Sequence, residues 1–188
     1  MKSIVCYGDS NTYGWGPRFF SGNHYPNPWP EIMAEKTGNH VKNCGEPGRV
    51  IPYREELFES FRRDVVGYHP ELLLIMLGTN DLFYSMEAAA ESIAGRMRNM
   101  IQYAVQNHMA QKILLLSCPK VAPPEERYLP VLEDLSERYQ KIADQEKIYF
   151  ADPFRWDIPM SYDGVHFTEE GHRIFAENIS DIIRNMVF

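Results

Sequence analysis

Short aliphatic runs alternate with longer amphipathic stretches along the chain. Ile4 to Tyr7 is a brief apolar run closed by Gly8, and His40 to Asn43 is a weaker one. Glu71 to Leu77 (ELLLIML) is apolar at nearly every position, the pattern of a central parallel strand buried on both faces. Lys112 to Ser117 (KILLLS) repeats it, and Ile148 to Ala151 closes the series. Between these runs, Ile93, Met97, Met100, Ile101, Ala104 and Val105 recur at helical spacing behind Ser85, a candidate N-cap. Val131, Leu132, Leu135, Tyr139, Ile142 and Ala143 do the same. A final helix is expected behind Thr168 as N-cap, with Glu169 and Glu170 favourable in its first turn and Ile174, Phe175, Ile179, Ile182 and Ile183 facing inward. Strands alternating with helices, joined by crossovers longer than a hairpin, predict an α/β fold with three α/β/α layers. The five runs suggest a flavodoxin-like, doubly wound parallel five-stranded sheet in the order 2-1-3-4-5, whose ligands would bind beyond the carboxyl ends of the strands.

Composition narrows the classes. At 188 residues the chain is expected to form a single domain over 1–188, large enough for a full core without disulfide staples. Hydrophobic residues make up 44%, which excludes a disordered chain, and neither a glycine repeat nor sustained heptads appear. A net charge of −7 and a pI of about 5.4 argue against nucleic acid as a main partner. The longest apolar run, Leu72 to Leu77, falls far short of the roughly 20 residues that span a bilayer. The start, MKSIVCYGD, lacks the apolar stretch of about 7 to 15 residues that a signal peptide needs. Cys6, Cys44 and Cys118 are odd in number and form no C-x-x-C pair, so a cytoplasmic protein with reduced thiols and no cysteine-built metal site is expected.

The chemistry-bearing residues gather behind the predicted strands. Gly8-Asp9-Ser10-Asn11 follows the first, Asn43-Cys44-Gly45-Glu46-Pro47-Gly48-Arg49 the second, and Gly78-Thr79-Asn80-Asp81 the third; Asp163-Gly164-Val165-His166 lies beyond the fifth. A serine hydroxyl is a weak nucleophile at neutral pH and needs a base within hydrogen-bond reach. An imidazole, with an unperturbed pKa of about 6.5, takes and returns a proton, so His166 fits that role. Asp163, three residues earlier, can hold the imidazole's other nitrogen through one tight turn. Backbone N–H groups of Ser10 and Gly48, with the Asn80 amide, can supply oxyanion donors. These are the parts of an acyl-transfer site.

These blocks, in this order between positions 8 and 166, resemble the signatures of the SGNH-hydrolase (GDSL-type esterase and lipase) superfamily. The run Gly8 to Gly16 (GDSNTYGWG) and Arg49 are similar to its arylesterase and acyltransferase branch. The resemblance implies Ser10 as nucleophile, Asp163 and His166 completing a triad, Ser10, Gly48 and Asn80 as oxyanion donors, and no cofactor or metal. Asn11 stands where the family often has leucine, a change expected to alter packing but not chemistry. The expected function is a serine esterase cleaving short-chain carboxylic esters of sugar or aryl alcohols, its partner a small-molecule ester, with homo-oligomerisation left open. Acyl transfer to an alcohol and a non-catalytic flavodoxin-like binding module are the alternatives; no G-x-G-x-x-G or P-loop supports the latter.

The remaining candidates divide between substrate contact and packing. Tyr13, Trp15, Phe83 and Trp156 are candidate substrate-binding aromatics, and Arg49 can bind an anionic group or form a structural salt bridge. Tyr13, Trp15, Phe19, Phe20, Tyr25 and Trp29 crowd one proline-rich loop expected to wall the cleft. Pro119 to Pro130 reads as a second, charged loop over the same rim. Ser10 can alternatively cap a helix. Asp9 and Asp81 read as structural carboxylates bonding loop N–H groups, and Cys118 as a buried thiol. His24, His40, His69, His108 and His172 lack a carboxylate placed as Asp163 is. Val187-Phe188 can pack on a partner or on the core.

Overall fold

The computed structural model describes residues 1–17, 23–84 and 90–186. Phe19, Phe20, Ser85, Val187 and Phe188 lie outside the described residues. In chain order the elements are β1 (Ser3–Gly8), α1 (Ser10–Tyr13), β2 (Trp15–Gly16), β3 (Asn23–His24), α2 (Trp29–Thr37), β4 (His40–Gly45), α3 (Glu55–Val66), β5 (Leu72–Met76), α4 (Thr79–Tyr84), α5 (Ala90–Gln106), β6 (Lys112–Leu116), α6 (Leu129–Glu146), β7 (Tyr149–Ala151) and α7 (Glu169–Asn185). β2 and β3 pair antiparallel as a small ribbon. The other five strands form one parallel sheet in the order β4-β1-β5-β6-β7, which is 2-1-3-4-5 when those strands are counted along the chain.

Alternation along the strands divides the core between the two faces of the sheet. Val5, Tyr7, Leu73, Ile75 and Leu115 point to one side, where they meet Phe61 and Val65 of α3, Met97 and Ile101 of α5, and Leu135 and Ile142 of α6. Ile4, Cys6, Leu74 and Leu116 point to the other, against Trp29 and Met33 of α2 and Phe175 and Ile179 of α7. Every residue of β5 is buried, as its uninterrupted apolar run requires. The Thr168 hydroxyl accepts the Gly171 N–H at 3.0 Å and so caps α7, with Glu169 and Glu170 in the first turn and Arg184 in the last.

Three expectations need correction. The proline-rich segment after β1 is not all loop: Pro30 falls in the first turn of α2, where its missing N–H costs nothing. Trp29 accordingly does not wall a cleft but is buried against Phe175, ring centroids 4.8 Å apart. The Pro119–Pro130 segment is shorter as a loop than expected, because a 3-10 turn over Glu126–Tyr128 leads directly into α6. Ser10 is not a helix cap either, since Asp9 occupies that position and accepts the Asn11 N–H at 3.0 Å. Among the described residues no helix is long and apolar enough to cross a membrane.

Candidate active site

Strand register assembles the rim. Gly8, Gly45 and Met76 lie side by side on adjacent strands, so the segments after them emerge at one level. A Cβ on Gly45 would stand 2.1 Å from the backbone nitrogen of Tyr13, so only glycine lets α1 seat this closely on the sheet. Ser10 opens α1 and is 7% exposed. Gly48, in the loop after β4, has φ +78°, a left-handed conformation that favours glycine. The Asn80 carboxamide donates to the Arg49 carbonyl at 3.0 Å, tying the start of α4 to that turn and leaving one amide hydrogen for another acceptor.

The Asp163–His166 segment closes over α1. His166 Nε2 lies 3.0 Å from Ser10 Oγ, and its Nδ1 lies 2.6 Å from Asp163 Oδ2. An ionised carboxylate only accepts, so Nδ1 carries the proton and Nε2 is left to accept from the serine hydroxyl. The second oxygen, Asp163 Oδ1, accepts the backbone N–H groups of Val165 at 3.0 Å and His166 at 3.1 Å. Burial alone would push the Asp163 carboxyl up, but the hydrogen bonds from the His166 side chain and from those two backbone groups outweigh it and hold the carboxyl below its ordinary pKa. The indole of Trp15 leans on the His166 ring at 4.3 Å between centroids.

Asn11, expected only to alter packing, links the two halves of this arrangement. Its Nδ2 donates to the Val165 carbonyl and its Oδ1 accepts the Phe167 N–H, each at 2.9 Å. The signal in the sequence was its place beside Ser10, but nothing local to it indicates a partner 154 residues away.

Other candidates make packing contacts. Arg49 sits over the Tyr7 ring at 4.0 Å, donates to the carbonyls of Gly8 and Cys44, and pairs with Glu46 at 2.8 Å and Asp64 at 3.2 Å. Its guanidinium therefore braces β4 and the loop after it. Phe83 packs on Tyr128 at 4.9 Å and Trp156 on Phe175 at 5.1 Å, and each is half-buried. Tyr13 meets His24 edge-on at 4.7 Å.

Asp9 bonds an N–H of α1 as its cap, where a loop N–H was expected, and Asp81 bonds a loop N–H. Asp9 is 4% exposed and burial pushes its carboxyl up to about 6; Asp81 accepts the Ile51 N–H at 3.1 Å and pairs with Arg96. Cys118 is buried at the sheet end near the Leu77 carbonyl, and burial pushes its thiol up to about 12. Among the described residues no group of three or more His, Cys, Asp or Glu is arranged to hold a metal ion.

The profile of the GDSL-like lipase/acylhydrolase family matches residues 6–174, and the chain belongs to that family. Its fold is also that of Est24, a carbohydrate acetylesterase from Sinorhizobium meliloti, at a TM-score of 0.85 and 24% identity, covering 98% of this chain and 99% of that one. The M. Smegmatis aryl esterase superposes with a TM-score of 0.82 at 22% identity over the full length of both chains. In sequence, the N-acylneuraminate cytidylyltransferase of Escherichia coli is 26% identical over 150 residues, 77% of this chain. The chain spans 35% and 59% of the lengths of the curated relatives it matches.

Proposed function

We propose that residues 1–188 act as one catalytic domain, a cofactor-independent serine esterase that cleaves short-chain carboxylic esters of sugar or aryl alcohols through an acyl-serine intermediate. The observation that carries this reading is the chain of contacts from Ser10 Oγ through the His166 ring to Asp163. Membership of an acylhydrolase family supports ester hydrolysis as the class of reaction.

In the proposed reaction Ser10 Oγ attacks the ester carbonyl carbon as its proton passes to His166 Nε2. Asp163, held ionised by its hydrogen bonds, stabilises the imidazolium that forms. The carbonyl oxygen, now negative, is met by the N–H groups of Ser10 and Gly48 and the remaining Asn80 amide hydrogen. The C–O bond to the alcohol breaks, and His166 returns the proton to the departing oxygen. Water then enters; His166 takes one of its protons, the hydroxyl adds to the acyl carbon, and the Ser10–acyl bond breaks as His166 passes that proton to Ser10 Oγ, releasing the acid and restoring the resting site. Gly48 and Asn80 come from different strand ends, and the Asn80–Arg49 hydrogen bond supports their fixed spacing.

The intermediate supplies the test. Acid-quenching the enzyme during turnover of p-nitrophenyl acetate and mapping acetylated peptides by mass spectrometry should place the acetyl group on Ser10 of the wild type and nowhere on Ser10→Ala. An acetyl group on another residue that forms and decays at the turnover rate would contradict the proposal.

A further inference from the structure

Beside the glycine turn lies a cavity of about 600 Å³ bounded by Gly48, Tyr53, Asp81, Tyr84, Ser92 and Arg96, within the size range of small-molecule sites. It adjoins one candidate oxyanion donor directly: Gly48 is in its wall, and a Cβ there would stand 3.3 Å from the Tyr84 hydroxyl. Its charge is internally balanced. Arg96 Nη1 meets Asp81 Oδ1 at 3.2 Å, with the Asp81 side chain fully buried and that of Arg96 28% exposed. One ion pair uses little of a guanidinium's five N–H groups, and the buried Arg96 Nε has no hydrogen-bond partner among the described residues. Tyr53 and Tyr84, both in its wall, are 56% and 70% exposed.

Aromatic walls, hydroxyls and a fixed planar donor whose charge is already neutralised suit a ring that is apolar on its faces and hydroxylated at its edge. They do not suit a phosphate, which would need uncompensated cations, or a plain aryl group, which would leave the polar atoms unpaired. We infer that this cavity is the alcohol subsite and that it selects an uncharged glycosyl residue over an aryl group, with the Tyr53 and Tyr84 rings against the sugar and Arg96 donating to its hydroxyls. The inference rests on the esterase reading above: with a short acyl group, only the alcohol portion of the substrate is large enough to need this space.

The test compares kcat/KM for a mono-O-acetylated methyl xyloside, whose other ring hydroxyls are free, with kcat/KM for p-nitrophenyl acetate. The readout is the ratio of the two in the wild type, Tyr53→Ala and Arg96→Lys. Lysine keeps a positive charge beside Asp81 but loses the fork, and Tyr53 is exposed enough to be truncated without disturbing the core. Each variant, checked for folding by its thermal melt, should lower the sugar-to-aryl ratio by about tenfold, the worth of one well-made polar or stacking contact. The loss should appear mainly in KM for the sugar ester. A ratio within twofold of wild type in either folded variant overturns the subsite, provided Ser10→Ala abolishes hydrolysis of both esters. Undiminished hydrolysis by Ser10→Ala would instead overturn the esterase reading on which the subsite rests.

Discussion

A single carboxamide, that of Asn11, joins the helix bearing Ser10 to the segment bearing His166, bonding Val165 and Phe167 on either side of the histidine. Asn11→Ala should therefore lower kcat by about tenfold with KM little changed, because it loosens the base and not the binding surfaces. Steady-state kinetics check this, and equal changes in kcat and KM would speak against a positioning role. Asp163→Asn should cost more, about 10³-fold or beyond in kcat, since an amide no longer enforces the imidazole tautomer or balances its charge. Asn80→Ala should lose roughly 10²-fold in kcat if its free amide hydrogen meets the oxyanion. The contact of Ser10, His166 and Asp163 was legible in the sequence, as were Gly48 and Asn80 as candidate donors, because each sits in a short block with its neighbours. Asn11 and the Asp81–Arg96 pair were not, since their partners come from distant segments that only folding brings together.

At the scale of elements, the five strands of the parallel sheet and α5, α6 and α7 were legible because their apolar residues recur in regular patterns. The other helices hid for identifiable reasons. α2 begins among prolines that read as loop, and α3 buries only Phe61 and Val65 completely beneath a largely charged surface. α4 spans six residues and the strands of the β2–β3 ribbon two each, too short for any period to register. Seating α1 depends on the missing side chain at Gly45, whose added Cβ would meet backbone. Gly45→Ala should thus destabilise the fold by about 2 kcal/mol or more and displace Ser10 as well. Urea unfolding and ester hydrolysis should fall together; a variant that keeps full activity would contradict this close packing.

Across the whole molecule, buried titratable groups tie stability to pH in opposite senses. His172 is 1% exposed and burial lowers its pKa to about 3 from an ordinary 6.5. The folded protein thus keeps it neutral where the unfolded chain protonates it, and the stability it confers, complete above 6.5, is withdrawn as pH falls toward 3. Asp9, raised to about 6 from 3.8, acts oppositely, because its buried charge is relieved as pH falls through that interval. His172→Gln retains an acceptor for the Trp29 N–H and isolates the histidine's share. Relative to wild type, it should gain on the order of 3 kcal/mol of unfolding free energy between pH 7 and pH 4. Denaturant titrations at the two pH values check this, and a constant difference would refute it. Ser10 is the proposed nucleophile at the centre of the reading, so the most direct measurement is p-nitrophenyl acetate hydrolysis by wild type and Ser10→Ala. A loss of about 10³-fold or more in kcat/KM is predicted; equal rates in the two proteins would contradict a nucleophilic role for Ser10.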